Sequence, residues 1–378
     1  ARRTRSVTIL VPPKATTEMT RSTEARAAPR PADLDVQDWA AYDLIIDARS
    51  PREFSDDHIP GALNLPVVVD DEYAAVGTLH RTDTHAAYLL GVQQALRNIA
   101  DDIAEHIAPL PRHARILVYC FRGGKRSELW SSALRIIGFK VDVLRGGWRN
   151  YRRWVREGLD TLPRNFRFKL VAGPTGVGKT RFLAALRTLG EQVIDLEGIA
   201  HHRGSVLGEV PGEPQPTQKQ FDSDLLAQLR LLDPDRPVWL ESESKRIGRV
   251  QLPVSLFEAM QTSPVVLLGA PMASRVQLWH DEYPNLAADP KRVVSLLGAL
   301  ADTKMLVGNK EFAAWEQLAA SGDTRELFAR VMEHYYDPLY GRSLARDFHH
   351  FEQAVRIELD DLSMDGMIAA AKRVCAAA

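Results

Sequence analysis

The chain has 378 residues, 45% hydrophobic and 26% charged, the profile of an ordinary globular protein with room for two or three domains. A formal net charge of −1 gives no global attraction to nucleic acid, so any RNA contact must come from a local basic patch. Two cysteines exclude a disulfide framework and a cysteine-rich zinc site, and no apolar run is long enough to cross a membrane.

Residues 1–33 are rich in Arg, Thr, Pro and Ala and read as a disordered tail. Arg2, Arg3, Arg5 and the apolar patch Val7–Val11 hint at a targeting peptide, but the patch is too short and no cleavage site follows. Met19 is an alternative start. Order is expected from Leu34, giving a first domain over 34–158 and a second over 159–378, with Gly158–Asn165 as the linker. Tyr42–Ile46 reads as a buried strand, Pro51–Phe54 as a short helix, His58–Ala62 as a turn and Leu63–Val69 as extended. Helical spacing predicts two helices over Tyr73–Ile107, joined around His80–Thr84. Arg115–Tyr119 is the next strand, Ser127–Ile137 a helix stopped at Gly138, and Val141–Leu144 a further strand before a basic helix through Arg156. In the second domain, strands are expected at Phe166–Ala172, Val193–Leu196, Pro237–Leu240 and Val265–Leu268, with a helix over Thr180–Leu189. From Leu296 the pattern is mostly helical, with an aromatic-rich break at Glu333–Tyr340. Alternating strands and helices make the fold α/β with parallel sheets and ligands at the carboxyl ends of the strands.

Two loops carry chemistry. In Cys120-Phe-Arg-Gly-Gly-Lys-Arg-Ser127, a cysteine follows a strand and precedes a helix, so loop amides and the helix N-terminus aim at its sulfur. Arg122, Lys125 and Arg126 add positive charge, Gly123 and Gly124 let the backbone curl, and Ser127 closes the loop. The arrangement favours a thiolate, or a persulfide or perselenide on it, and attracts oxyanion donors such as thiosulfate or selenophosphate. A phosphatase loop places its Arg five residues after the Cys, which does not match Arg122 and Arg126. Cys375, near the C-terminus, is no evident resolving partner. Cys120, Arg122 and Arg126 are the candidate catalytic residues.

Gly173-Pro-Thr-Gly-Val-Gly-Lys-Thr180 is a complete P-loop between an apolar strand and a helix. Backbone amides from Gly176, Val177 and Gly178 to Thr180 can surround a diphosphate, Lys179 can neutralise it, and Thr180 offers a ligand for Mg²⁺. The cradle recognises a diphosphate and not a base, so a nucleotide and a prenyl diphosphate both remain open. Asp195, Glu241 and Glu243 are the acidic candidates beside it, and His201, His202, Arg203, Lys245 and Arg246 are further site residues. No metal-ligand set is expected, because adjacent side chains such as His201 and His202 diverge on a regular element. For RNA, Arg149, Arg152, Arg153 and Arg156 alternate with Trp148, Tyr151 and Trp154, a pattern that suits phosphates and stacked bases or, equally, a helix whose aromatics face a core. Tyr335, Tyr336 and Tyr340 are either a stacking surface or a packing cluster.

Leu44–Arg49, Glu53-Phe54, His58–Pro66, the Cys120 loop and Leu144-Arg-Gly-Gly-Trp148, in that order, resemble the rhodanese family. In that resemblance Asp47 and Arg49 are a structural pair, His58 stabilises a turn, and the Tyr73–Ile107 helices are an insertion. With the P-loop, Ala74–Thr78, Asp195–Ser205, Glu241–Gly248 and Glu333–Tyr340, the chain from Leu34 onward resembles the tRNA 2-selenouridine synthase family, a rhodanese-like domain fused to a P-loop domain with a helical C-terminal region. The resemblance implies a cytoplasmic transferase that converts wobble 2-thiouridine of tRNA to 2-selenouridine through an S-geranyl intermediate. Its substrates would be geranyl diphosphate and selenophosphate, with no tightly bound cofactor, and selenophosphate synthetase is an implied partner. An ATP-dependent kinase or hydrolase fused to a sulfurtransferase, or a scaffold using both loops for anion-dependent regulation, are the alternatives.

Overall fold

A computed structural model of the chain describes residues 39–300 and 302–376, so the expected tail lies outside the described residues. The first sheet comprises β1 (Leu44–Asp47), β2 (Leu63–Asn64), β3 (Arg115–Tyr119) and β4 (Lys140–Val143), all parallel, in the order β2-β1-β3-β4. Central β3 is buried from Ile116 to Tyr119, as a parallel strand covered on both faces requires. Of the expected extended segment Leu63 and Asn64 form a strand, and beyond it Leu65 N and Val67 N still donate to Asp47 O and Ala48 O. Pro66 between them has no N–H to offer a ladder. The helix Pro51–Asp56 starts with Ser50 and Glu53 in a reciprocal capping box. The insertion forms two helices, Asp70–Leu79 and Thr84–Asp102, the second running on into a π turn at Ile103–Ile107.

The second sheet contains β5 (Phe168–Ala172), β6 (Gln192–Val193), β7 (Val238–Glu241), β10 (Val265–Gly269) and β11 (Val355–Glu358). These are again all parallel, in the order β11-β10-β5-β7-β6. A small antiparallel hairpin, β8 (Arg246–Ile247) with β9 (Val250–Gln251), lies apart from it. The P-loop leaves the central strand β5, the position at which an open α/β sheet presents its ligand site.

Three expectations are corrected. The strand expected at Val193–Leu196 ends at Val193, because the Asp195 carboxylate accepts from Gly198 N and starts the helix Leu196–Ala200. Glu333–Tyr340 is no break: a π turn, Met332–Tyr336, joins Thr324–Val331 to Asp337–Asp347, and the widened turn accommodates Pro338. Residues 158–165 form no free linker. The basic helix runs from Gly147 to Thr161 and passes into a 3₁₀ turn, Leu162–Asn165, with Leu159, Leu162 and Phe166 buried.

That helix joins the two sheets. Tyr151, Trp154 and Val155 belong to one core with Ile45, Leu117 and Tyr119 of the first sheet and Phe168 and Leu170 of the second. Beside them Arg152 pairs with Asp222 at 3.0 Å and Asp57 at 3.5 Å, and Ser223 Oγ donates to Asp57 at 2.7 Å. Burial raises the Asp57 pKa above the usual carboxylate value, although Arg152, Ser223 and Trp148 oppose it. Lys219 pairs with Asp56 at 2.6 Å across the same junction.

Candidate functional site

Cys120 directly follows β3 and is buried at the start of its loop. Its sulfur accepts from Gly124 N at 3.3 Å and lies 3.3 Å from Ser127 Oγ, which itself donates to Gly124 O at 2.8 Å. Burial pushes the thiol pKa up, but Ser127 and the amides of Arg122, Gly124 and Ser127 outweigh it, and the net shift is downward. The expected bowl of amides is therefore present, while the charges are deployed differently from expectation. Arg126 forms a half-buried pair with Glu53 at 2.5 Å, and the Lys125 ammonium sits 3.9 Å from the centre of the Tyr88 ring. Both cations clamp the loop to its surroundings. Arg122 remains exposed at the loop's rim.

The loop is closed by the segment Gly146-Gly-Trp148. Trp148 N donates to Cys120 O at 2.9 Å and Arg149 N to Phe121 O at 3.1 Å. Gly147 has a φ of +57°, and a Cβ there would lie 2.6 Å from Gly123 N and 2.9 Å from Arg122 N. Gly147→Ala is expected to destabilise the protein by about 3 kcal/mol from backbone strain and overpacking, read as a lower Tm, and to slow alkylation of Cys120 as the amide bowl opens. Asp47 and Arg49 form the structural pair that the resemblance implies, 2.6 Å apart and both buried. His58 stacks on Phe54 and its Nδ1 lies 3.0 Å from Phe54 O, far from a catalytic posture.

At the second loop, Gly176 and Gly178 take φ of +77° and +86°, which aligns the turn ahead of the helix Lys179–Thr188. Lys179 Nζ donates to Gly173 O at 3.4 Å and lies 5.2 Å from the centre of the Tyr340 ring. Burial would lower its pKa, yet Tyr340, Glu197, Glu243 and Tyr283 hold it above the ordinary lysine value, so it is charged. Thr180 Oγ1 donates to Glu197 Oε2 at 3.3 Å. Glu197 and Glu243 share a hydrogen bond. Burial, reinforced by the neighbouring carboxylate, raises the Glu197 pKa well above its usual range, so the pair retains a proton.

The acidic candidates thus separate by role. Glu243 faces the P-loop lysine, whereas Glu241 is fully buried and accepts from Leu196 N at 3.0 Å, and Asp195 is a helix cap. Glu197, which sequence reasoning missed, is the acid nearest Thr180; it is set there by a helix that the sequence pattern left hidden in a presumed strand. Arg203 lines the cavity, donating to Glu282 O at 2.6 Å and lying over the Tyr283 ring. His201 also lines it, in a left-handed conformation rare for a residue with a side chain. His202 lies alongside, largely buried, its Nδ1 without a protein partner and its pKa lowered by burial. Lys245 and Arg246 do not join the site: Arg246 is spent on the hairpin, donating to Gly248 O at 2.7 Å, and neither lines the cavity. Tyr340 OH accepts from Gly173 N at 3.1 Å and lies 2.7 Å from Ser242 Oγ, bracing the P-loop, while Tyr335 and Tyr336 pack inside the helical region. Arg275, also missed, donates to Thr175 O at 2.8 Å and pairs with Asp337 at 2.6 Å. Only the fold brings these distant segments to the loop.

The P-loop opens into a cavity of about 320 Å³ reaching Glu197, Arg203 and Tyr283. Through His201, Arg203, Val210, Glu213, Glu282 and Tyr283 this continues into a larger cavity of about 800 Å³, walled by Val206, Leu207, Pro211, Pro284, Leu286 and Leu296. Among the described residues no three His, Cys, Asp or Glu side chains are grouped to hold a metal ion. No helix there is long and apolar enough to cross a membrane. Of the expected RNA contacts, Arg152 and Trp154 are buried in the junction between the sheets and are withdrawn; Arg149 and Arg153 are exposed.

Comparison with known proteins matches residues 32–153 to the rhodanese-like domain and residues 166–297 to the tRNA 2-selenouridine synthase AAA domain. A tRNA 2-selenouridine synthase of Bdellovibrio bacteriovorus is 32% identical over 80% of this chain and 89% of the relative. One from Pseudomonas fluorescens is 33% identical over 86% and 94%. One from Nitrosomonas europaea is 33% identical over 67% and 68%. The two domain matches take in the cysteine loop and the P-loop respectively, and the chain is an enzyme belonging to the tRNA 2-selenouridine synthase family.

Proposed function

We propose that this enzyme forms 2-selenouridine in tRNA in two stages, S-geranylation of wobble 2-thiouridine at the P-loop and exchange of the geranylthio group for selenium at Cys120. The observation that carries the first stage is the continuity of the P-loop cavity with a larger cavity of about 800 Å³, whose wall has an apolar patch of Val206, Leu207, Pro211, Leu286 and Leu296 beside the charged Glu209, Arg249 and Arg292. A prenyl diphosphate has that polarity, a charged head on an apolar tail, and each buried methylene of the tail contributes about 0.8 kcal/mol. With the diphosphate on the amides of Gly176–Thr180 and on Lys179, the thiocarbonyl sulfur attacks the geranyl carbon. The C–O bond to diphosphate breaks, and the N3 proton of the base leaves. Thr180 and Glu197 are the residues that would hold Mg²⁺, which would neutralise charge on the leaving diphosphate. Alkylation turns a poor leaving group into a better one. The Cys120 thiolate attacks the selenium of selenophosphate, the P–Se bond breaks with its electron pair leaving on phosphorus as phosphite, and the resulting perselenide attacks C2 and expels geranylthiolate. Cys375 packs on the last helix against the second core, so the two thiols that cleave the S–Se bond, releasing the selenouridine and the Cys120 thiolate and leaving as a disulfide, come from solution.

Labelled geranyl diphosphate and 2-thiouridine tRNA should yield one diphosphate per S-geranyl nucleoside, quantified by nucleoside mass spectrometry. ATP turnover that is stimulated by tRNA, with no prenyl transfer, would replace this reading with the fused-hydrolase alternative. Val210 stands where the two cavities meet, and Val210→Trp should raise KM for geranyl diphosphate by about tenfold or more while leaving binding of inorganic diphosphate unchanged. A parallel loss of diphosphate binding would show that the large cavity is not the tail site.

A further inference from the structure

We propose that five arginines beside the cysteine loop form the seat for consecutive backbone phosphates of the tRNA anticodon arm, placing the wobble base at Cys120; the identity of the RNA rests on the tRNA-modifying reading above. The helix Gly147–Thr161 has two distinct faces. Tyr151, Trp154, Val155 and Leu159 are buried in the joint core, while Arg149, Arg153 and Arg156 recur at helical spacing on the exposed side. Arg145 joins them from the chain just before the helix and Arg122 from the cysteine loop itself, enclosing an open bowl of about 470 Å³.

Among the described residues no Asp or Glu lines this bowl, although acids and bases nearly balance over the whole chain. Asn150 organises it: its Oδ1 accepts from Arg153 Nη2 at 2.6 Å and its Nδ2 donates to Arg145 O at 3.2 Å. The bowl is also fixed relative to the sulfur, since the first turn of its helix donates to Cys120 O and Phe121 O. From Arg149 to Arg156 the helix advances about 10 Å, at 1.5 Å per residue. One small oxyanion needs two or three converging donors and cannot engage guanidinium groups spread over that length. A run of phosphates can, and the guanidinium fork suits phosphate oxygens.

The test titrates the full-length chain with a fluorescent anticodon stem-loop RNA across a NaCl series, alongside an Arg149→Gln/Arg156→Gln variant. The expected result is at least tenfold weaker binding at fixed salt and a plot of log K against log[NaCl] shallower by about 1.4–1.8, the loss of two phosphate contacts. Arg149→Lys/Arg156→Lys should keep most of the wild-type slope, which separates lost charge from a damaged fold. An unchanged slope in the Gln variant overturns the proposal. A raised KM for thiosulfate in sulfur transfer to Cys120, with that slope unchanged, reassigns the bowl to the small oxyanion donor. The binding measurement needs neither geranyl diphosphate nor selenium. A chain that binds no RNA at all therefore defeats the tRNA reading itself, whereas RNA binding that ignores the bowl defeats only this proposal.

Discussion

Cys120→Ala is expected to abolish 2-selenouridine while S-geranylated tRNA accumulates. A thiolate is a stronger nucleophile than a thiol, and the hydrogen bonds around this sulfur favour the anion over the neutral form. The loss should thus be complete to detection, not a partial loss of the kind that follows removal of one hydrogen bond. The lowered pKa gives a second readout. Because the shift is downward, the iodoacetamide reaction rate of the wild-type protein should rise with pH through a midpoint below that of a free thiol, about 8.5. Ser127→Ala removes one stabilising partner and should move that midpoint up. Nucleoside mass spectrometry of tRNA from cells carrying only the Cys120→Ala enzyme decides the main point; absence of both geranylated and selenium-containing nucleosides would mean that the cysteine also serves the first stage.

Lys179→Ala has the second largest expected effect, a drop in the geranylation rate of about a hundred- to a thousandfold, the cost of removing a preorganised electrostatic group from a developing charge. The ammonium is half-buried, charged and held between the P-loop carbonyl of Gly173, the Tyr340 ring and the Glu197–Glu243 pair. Without it, the negative charge that grows on the leaving diphosphate meets two carboxyl groups with no cation between them. Selenium exchange on tRNA that has already been geranylated should survive in this variant, and so should alkylation of Cys120. Loss of both would indicate damage to the shared core and not to the diphosphate site.

Much of this was legible because it is local. Cys120 with its glycines and the Gly173–Thr180 loop are continuous in sequence, and each follows an apolar strand whose end must present backbone amides to a ligand. The buried pair Asp47–Arg49 and the helix stop at Gly138, with φ +109°, are equally short-range. Non-local partners were not legible. Glu197 was hidden because Val193–Leu196 is as apolar as a strand, and only the Asp195 cap turns it into a helix. The edge strand Val355–Glu358 is exposed at three of its four residues and too short to stand out within a helical region.

The alternation of tyrosines and tryptophans with arginines from Trp148 to Arg156 shows the division most clearly. By itself the sequence determined that this segment is a helix carrying both charge and rings, that a thiolate loop precedes it and that a P-loop follows. Only the tertiary structure decided which side is which. Packing of two sheets against one helix buries Trp154 and draws Arg152 into the Asp57–Asp222 junction, because an aromatic face gains by leaving water and an arginine can follow it only where carboxylates are waiting. Arg149, Arg153 and Arg156 stay on the exposed side of the same helix, lining the bowl that Arg122 of the cysteine loop also lines.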